Sequence, residues 1–273
     1  MTDVTKLALL GGGVMGEAVL AAVVRAGVPA DGVTVCEKRA ERAAELERAH
    51  GVRTTPDAAE AVREAQVVVV AVKPGDVGGV LGEISPALAD GALVMSVAAG
   101  LTTAFYERLL PEGTPVLRVM PNTPALVGAG ASAVAPGAAA TADHVATGTA
   151  LLAATGLVVA VAEKDMDAVT AISGSGPAYV FALVDALAEA GVLLGLTRDR
   201  ALELATATFR GAVALLDETG DHPVLLRERV TSPGGTTAAG LRQLDAHGVR
   251  AAVVAAAEAA RDRSRSLSAE LEG

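Results

Sequence analysis

Five short apolar runs punctuate the first part of the chain: KLALL (Lys6–Leu10), VTVC (Val33–Cys36), VVVVAV (Val67–Val72), ALVMSV (Ala92–Val97) and VLRVM (Val116–Met120). Their apolar positions are continuous rather than alternating. That is the pattern of strands covered on both faces, and it predicts a parallel sheet. Helical patterns fill intervals between them, at Met15–Ala26, Ala40–Ala49 and Val77–Leu88. Strand alternating with helix predicts an open, doubly wound α/β fold. SAVAP (Ser132–Pro136) and LVVAV (Leu157–Val161) are candidate strands near its end.

After Glu163 the β pattern stops. Helical patterns follow at Asp165–Ala171, Gly176–Leu194, Arg198–Glu218, Pro223–Val230, Thr236–Ala246 and Gly248–Glu270, broken at Gly, Pro or Asp, with Thr197 and Asp221 as candidate caps. The switch predicts a Rossmann-like doubly wound domain over 1–163 and an all-α domain over 164–273. The apolar stretch Ala178–Leu196 contains Asp185 and Glu189, which argues for a buried or interface helix rather than a membrane span. Helix Gly176–Leu194 is apolar round most of its circumference, so it needs burial nearly all round. Intrachain packing could supply that cover. The stronger expectation is intertwined helices from two chains.

Composition narrows the class. The chain has 273 residues, 51% of them hydrophobic, enough for two ordinary domains. Aromatics are only 2% and Trp is absent, so the core must be built from Ala, Val and Leu. A net charge of −10 argues against a general nucleic-acid binder. A single cysteine, Cys36, excludes an intramolecular disulfide and fits a reducing compartment. The start, MTDVTKLALLGGG, lacks the basic, apolar and small-residue succession of a secretory signal. A soluble, cytoplasmic protein is expected. The histidines (His50, His144, His222, His247) show no metal-ligand spacing, so no metal and no catalytic histidine is expected.

Gly11-Gly12-Gly13-Val14-Met15-Gly16 fits G-x-G-x-x-G between a strand and a helix, the context that makes the pattern specific for a dinucleotide. Gly11 permits the turn, Gly13 lets a pyrophosphate approach the backbone, and Gly16 lets helix and strand pack closely. Val14 and Met15 belong to the same cradle. Glu37, at the end of the second strand, sits where an acid holds the ribose hydroxyls of NAD. Lys38 and Arg39 follow at once, and cations there suit a 2′-phosphate. NADP is the expected cofactor, NADPH preferred, with NADH as the alternative. Three strand ends complete the cofactor set: Ala71, Val72, Lys73 and Pro74 of AVKPGD; Ala98 and Ala99 of SVAAG; and Asn122 of MPNTPA. Ligands in open α/β sheets sit outside the carboxyl ends of strands.

Two further motifs lie in the helical part. SPGGTT (Ser232–Thr237) opens a helix with small residues, where backbone N–H groups and the helix dipole favour an anion. Capping by Ser232 and the threonine pair would use the same residues. SGSGPAY (Ser173–Tyr179) is either a second anion or nicotinamide contact or a tight interhelix turn with an N-cap serine.

Together the glycine loop, AVKP, SVAAG, PNTP, SGSGPAY and SPGGTT resemble the pyrroline-5-carboxylate reductase family, over nearly the whole chain. The last two are the specific motifs. Two positions depart from the family pattern: Val14, where a polar residue is frequent, and Glu37, where a small polar residue is frequent. The resemblance implies a dinucleotide-binding domain plus a helical dimerisation domain, and reduction of 1-pyrroline-5-carboxylate to proline with NAD(P)H. It implies a substrate site of Ser232, Gly234, Gly235, Thr236, Thr237, Ser175 and Gly176, with Thr237 hydrogen-bonding the ring nitrogen as the catalytic group. It also implies a homodimer at least, with a decamer of dimers as the larger form, the loop Ser232–Thr237 then facing the partner's glycine loop. Two other readings compete. A hydroxyacid or imine dehydrogenase would want a lysine on the interdomain helix, yet Lys164 is the only lysine after Lys73. A non-catalytic NADP sensor would leave Gly-Gly-Thr-Thr unexplained.

Overall fold

The computed structural model describes residues 3–272. Eight strands form one sheet: β1 (Leu7–Leu10), β2 (Val33–Cys36), β3 (Arg53–Thr55), β4 (Val67–Val70), β5 (Leu93–Ser96), β6 (Val116–Met120), β7 (Gly130–Pro136) and β8 (Gly156–Ala160). Their order is β3-β2-β1-β4-β5-β6-β7-β8, parallel throughout except for the β6–β7 pair. Helices α1 (Val14–Arg25), α2 (Ala40–His50), α3 (Ala58–Val62), α4 (Pro74–Ile84), α5 (Thr103–Leu109) and α6 (Ala142–Leu152) connect them. The fully buried β1 and β4 separate two aliphatic cores, one around Leu7, Leu9 and Val69, the other around Leu10, Val68 and Leu81. This explains the unbroken apolar runs. The strand order reverses between β1 and β4, which opens a crevice at the carboxyl ends of those strands.

Differences from the sequence reading have local causes. β3 is the polar edge segment RTT, with no apolar run to betray it. Helices α3, α5 and α6 were not expected; their starts are capped by Asp57, Thr102 and Thr141. The helix expected from Val77 starts at Pro74, a residue suited to a first helical position. The helix expected from Pro223 is capped by His222, whose side chain accepts from the Val224 N–H, and not by Asp221.

By its internal contacts the chain forms two compact units, one running up to Ser175 together with the chain from Ala260 on, the other Gly176–Ala259. In the first, α7 (Met166–Val169) runs into a π turn at Thr170–Gly174. The second holds α8 (Gly176–Leu193), α9 (Arg198–Thr219), α10 (Pro223–Arg229), α11 (Thr236–Ala246) and the first part of α12 (Val249–Glu272). Its buried centre is small: Ala188, Ala201 and Ala205, with Val184 and Val192 packed on them. Phe181 stays 65% exposed and Leu193 82% exposed. Intrachain packing therefore does not cover α8, whose one buried residue is Ala188.

The first unit also buries charge. Arg118 on β6 is only 4% exposed, and its guanidinium donates to Glu163 Oε1 at 2.8 Å. The same oxygen accepts the Thr103 N–H at the start of α5, 3.2 Å away. Nearby, the Tyr106 and Ser96 hydroxyls share a hydrogen bond, and burial pushes the Tyr106 phenol up to about 12. Glu163→Ala leaves the Arg118 cation buried without its counter-ion. Urea unfolding is expected to show a loss of about 2–4 kcal/mol, while Glu163→Asp loses less; equal, negligible losses would mean that water already satisfies Arg118.

Candidate active site

The glycine loop owes its shape to close backbone approach. Gly11 turns with φ +104°, a conformation side chains rarely tolerate, and a Cβ there would meet the Ala71 carbonyl oxygen at 2.8 Å. A Cβ at Gly16 would lie 2.1 Å from the Gly11 carbonyl oxygen. At Gly13, by contrast, a Cβ would meet nothing within 4 Å. Gly13 is also the N-cap of α1, with extended dihedrals and no side-chain cap. The first N–H groups of an α-helix have no intrahelical partner, and the helix dipole favours an anion there. Val14 is exposed and Met15 half-buried beside them. An open cradle at a helix start fits a dinucleotide pyrophosphate.

Gly12, the unassigned middle position of the loop, is held at both ends. Its N–H donates to Glu37 Oε2 at 3.2 Å, and its carbonyl accepts from Arg42 Nε at 2.8 Å. A Cβ there would strike Leu46 Cδ1 at 2.4 Å. Arg42 also pairs with Glu17, whose other oxygen lies 3.1 Å from His50 Nε2. Hydrogen bonds from Arg42 and His50 hold the Glu17 carboxyl below the usual range. Sequence reading missed Gly12, Arg42 and His50; the run of three glycines was the available signal for the first.

Glu37 is buried and takes four local hydrogen bonds: one from Gly12 and three from the Arg39 N–H and guanidinium, at 2.9–3.2 Å. Burial works to raise its carboxyl, but the hydrogen bonds and charge of Arg39, helped by Gly12, outweigh it and hold the group below the usual range. The acid and the base that competed in the sequence are thus paired with each other, with Arg39 still 68% exposed. Lys38 is exposed beside them.

Other strand ends lie along the same edge of the sheet. Ala71 and Val72 follow β4, Lys73 is the exposed N-cap of α4, and Pro74 is its first residue. Ala98 and Ala99 follow β5, and the Ala98 N–H donates to Ser96 Oγ at 3.2 Å. Asn122, expected among the cofactor-binding residues, is hydrogen-bonded within the protein. Its Nδ2 donates to the Ser173 carbonyl at 3.2 Å, and its Oδ1 accepts the Ala131 N–H at 2.9 Å, so it bridges PNTP, β7 and the SGSG segment.

The tight interhelix turn considered for SGSGPAY does not form. Ser175 has right-handed helical dihedrals, and its N–H donates to the Thr170 carbonyl at 2.8 Å. Its N–H is therefore occupied, and Gly176 begins α8 directly.

In the second unit, SPGGTT makes a turn with Gly234 at φ +67° and Gly235 as the N-cap of α11. No side chain caps this helix, so capping by Ser232 or the threonines, the alternative open from sequence, is absent. The Gly235 N–H donates to the Ser232 carbonyl at 3.0 Å and so is not free for an anion. A Cβ at Gly235 would lie 2.4 Å from Ser232 Oγ. The donors left at the helix start are Thr236, Thr237 and Ala238, whose N–H groups have no intrahelical partner. Ala238 was not foreseen.

An open pyridine-nucleotide cradle on a doubly wound sheet, followed by helices that carry a second uncapped anion-ready start, defines a dinucleotide-dependent oxidoreductase with a separate helical unit. Residues 163–267 match the family described as pyrroline-5-carboxylate reductase dimerisation, and residues 6–100 that described as NADP oxidoreductase coenzyme F420-dependent. The chain is 45% identical to the pyrroline-5-carboxylate reductase of Mycobacterium tuberculosis over 96% of each chain, and 44% identical to that of Corynebacterium melassecola over 96% and 98%. It belongs to the pyrroline-5-carboxylate reductase family. A solved pyrroline-5-carboxylate reductase from Coxiella burnetii superposes with a TM-score of 0.92 at 34% identity, covering 97% and 98% of the two chains. The Plasmodium falciparum pyrroline carboxylate reductase, solved with NADP bound, gives 0.85 at 30% identity over 98% and 99%.

Glycine substitutions separate shape from binding. Gly13→Ala is expected to keep wild-type stability yet weaken dinucleotide binding at least about tenfold, a loss of about 1.4 kcal/mol. Gly16→Ala is expected to lose about 1–3 kcal/mol of stability, because its Cβ meets backbone. Thermal melts and fluorescence titration with NADPH check both.

Proposed function

We infer that the chain reduces 1-pyrroline-5-carboxylate to L-proline with a reduced pyridine nucleotide, the last step of proline biosynthesis. Full-length relatives carrying that activity's name support it. The observation that carries it within the site is the start of α11: an uncapped helix end with free N–H groups and a threonine hydroxyl at Thr237. The substrate offers a carboxylate and a ring C=N bond. The N–H groups of Thr236, Thr237 and Ala238 receive the carboxylate, where the α11 dipole opposes the chain's overall negative charge. Ser232 and Gly234 shape the turn. Thr237 Oγ1 hydrogen-bonds the ring nitrogen and orients the imine, with Thr236 as the alternative partner. Ser175 and Gly176 belong to the substrate set by the family resemblance.

Bound NAD(P)H supplies the hydride accepted by the ring imine carbon. The C=N π pair becomes the nitrogen lone pair, and the proton that makes the iminium stays on the nitrogen as the N–H of proline. No strong side-chain acid is required, because the iminium forms in solution; positioning and exclusion of water are what the chain provides. Gly11, Gly13, Val14, Met15 and Gly16 hold the cofactor pyrophosphate. Glu37, Lys38 and Arg39 face its adenosine ribose, and Ala71, Val72, Lys73, Pro74, Ala98 and Ala99 line its path, with Asn122 bracing the last loop.

NADPH is the preferred cofactor in this reading and NADH the alternative. Two observations support that preference: Arg39 pairs with the buried Glu37, and Arg39 and Lys38 stay exposed beside it, so that both cations are open to a 2′-phosphate. The protein works as a homodimer at least, in larger assembly a decamer of dimers, in the cytoplasm. Residues Glu163–Leu193 are long and apolar enough to cross a membrane, yet they fall within the stretch matched to the dimerisation family. A second chain is the cover this surface calls for.

An assay of purified protein with pyrroline-5-carboxylate, following nicotinamide absorbance, tests the activity. Thr237→Val is expected to fold normally and to lose about ten- to a hundredfold in kcat/KM, the size of a hydrogen bond to a charged partner. Wild-type turnover at unchanged KM would reduce Thr237 to a shape residue. Reversing Lys38 and Arg39 to Glu is expected to raise the NADPH KM by about tenfold or more, and the NADH KM far less. Equal changes for both cofactors would remove the basis for an NADPH preference.

A further inference from the structure

The loop after β5 has a partner that the cofactor reading does not use. Gly100 turns there with φ +81°, and the far end of α12 covers it. A Cβ at Gly100 would meet Leu271 Cδ1 at 3.0 Å and Leu267 Cδ2 at 3.3 Å. Leu271 also packs on the core formed by Leu10, Ala98, Leu101 and Tyr106. One residue on, Glu272 Oε1 accepts the Thr102 N–H at 2.7 Å. A helix end far away in sequence thus grips the loop Val97–Thr102 from the apolar and the polar side at once. The grip is anchored further back. Ser264 Oγ donates to Asp167 Oδ1 at 2.8 Å, and Arg265 Nε lies 3.5 Å from Asp167 Oδ2.

The gripped loop contains Ala98 and Ala99. They are small residues without polar side chains, so whatever they offer a ligand is backbone and shape. The Ala98 N–H is held by Ser96 Oγ on one flank, and Thr102 caps α5 on the other, its Oγ1 accepting from Phe105 N at 3.2 Å. Between these points Leu267 and Leu271 cover Gly100, and Leu101 is buried in the core on which Leu271 packs.

We propose that the end of α12, through Leu267, Leu271 and Glu272, is a positioning device that holds the Val97–Thr102 loop in the shape that receives the dinucleotide. The inference rests on the reading of Ala98 and Ala99 as cofactor-facing. Glu272 and Leu271 touch no reacting group; they act through the loop. Losing the grip should therefore cost cofactor affinity, with the substrate site in α11 and the hydride step little changed.

The test uses the full chain and four variants: Glu272→Ala, Glu272→Gln, Leu271→Ala and Leu271→Met. Dinucleotide Kd by fluorescence titration, KM for each reactant, kcat and Tm are measured for all. Glu272→Ala and Leu271→Ala are expected to raise the dinucleotide Kd and KM about three- to tenfold, with kcat and the pyrroline-5-carboxylate KM within about twofold. Glu272→Gln keeps an acceptor oxygen and Leu271→Met keeps the apolar volume, so both are expected to restore most of the affinity. An unchanged dinucleotide Kd in both alanine variants overturns the proposal. So does a rise in both KM values that merely tracks a falling Tm, since that is general destabilisation. A wild-type chain that binds no dinucleotide would instead overturn the cofactor reading itself, a result that no variant is needed to see.

Discussion

Everything at the cofactor edge depends on one backbone approach: the Gly11 carbonyl occupies the space that any side chain at position 16 would need. That contact lets α1 leave β1 almost without an intervening loop. It brings the first N–H groups of the helix to the crevice where the strand order reverses. Gly12 is then clamped between Glu37 and Arg42, so the crease is held from the sides as well as from below. Gly13 alone is left without neighbours. The same loop therefore contains glycines demanded by packing and one that leaves room for a ligand, and the sequence pattern treats them alike.

A chain with a net charge of −10 must bind anions against its own field. The structure meets this locally. Glu37 is neutralised by Arg39 and Gly12, Glu17 by Arg42 beside His50, and Glu163 by Arg118. The starts of α1 and α11 then present backbone N–H groups, whose fixed dipoles favour an anion without a mobile cation. Both are uncapped, and helix starts ordinarily gain about 1 kcal/mol from a side-chain cap. α5, α6 and α9 do have such caps, in Thr102, Thr141 and Thr197. The starts of α1 and α11, like those of α2 and α4, forgo that contribution.

Much of this was legible from residue patterns because burial on both faces leaves a strong imprint. β1, β2, β4, β5 and β6 all follow continuous apolar runs, and the helical part after Glu163 follows the loss of that imprint. What stayed hidden lacks any such imprint. β3 is a three-residue polar edge, and α3 and α5 are too short for a helical period to show. The pairing of Glu37 with Arg39 was invisible because adjacent charges of opposite sign read the same whether they meet each other or a ligand. The internal hydrogen bonds of Asn122 were hidden for a similar reason: its partners, Ala131 and Ser173, are 9 and 51 residues away in sequence. The occupied N–H of Gly235 turns on a single turn hydrogen bond that composition does not encode.

The helical unit has little core of its own. Its private core is three alanines with two valines against them, far too little apolar burial to offset the chain entropy of the helices around it. Alanine and Gly191 let α8 and α9 lie close, yet small residues contribute little area each. The larger side chains of α8 point outward instead, Phe181 and Leu187 among them. The area missing from the inside is present on the outside, so the stability of this unit has to come from a second chain. Because α11 and its uncapped start belong to the same unit, they are stable only as far as assembly makes that unit so. Folding of the helical unit and pairing of chains are, on this physics, one event.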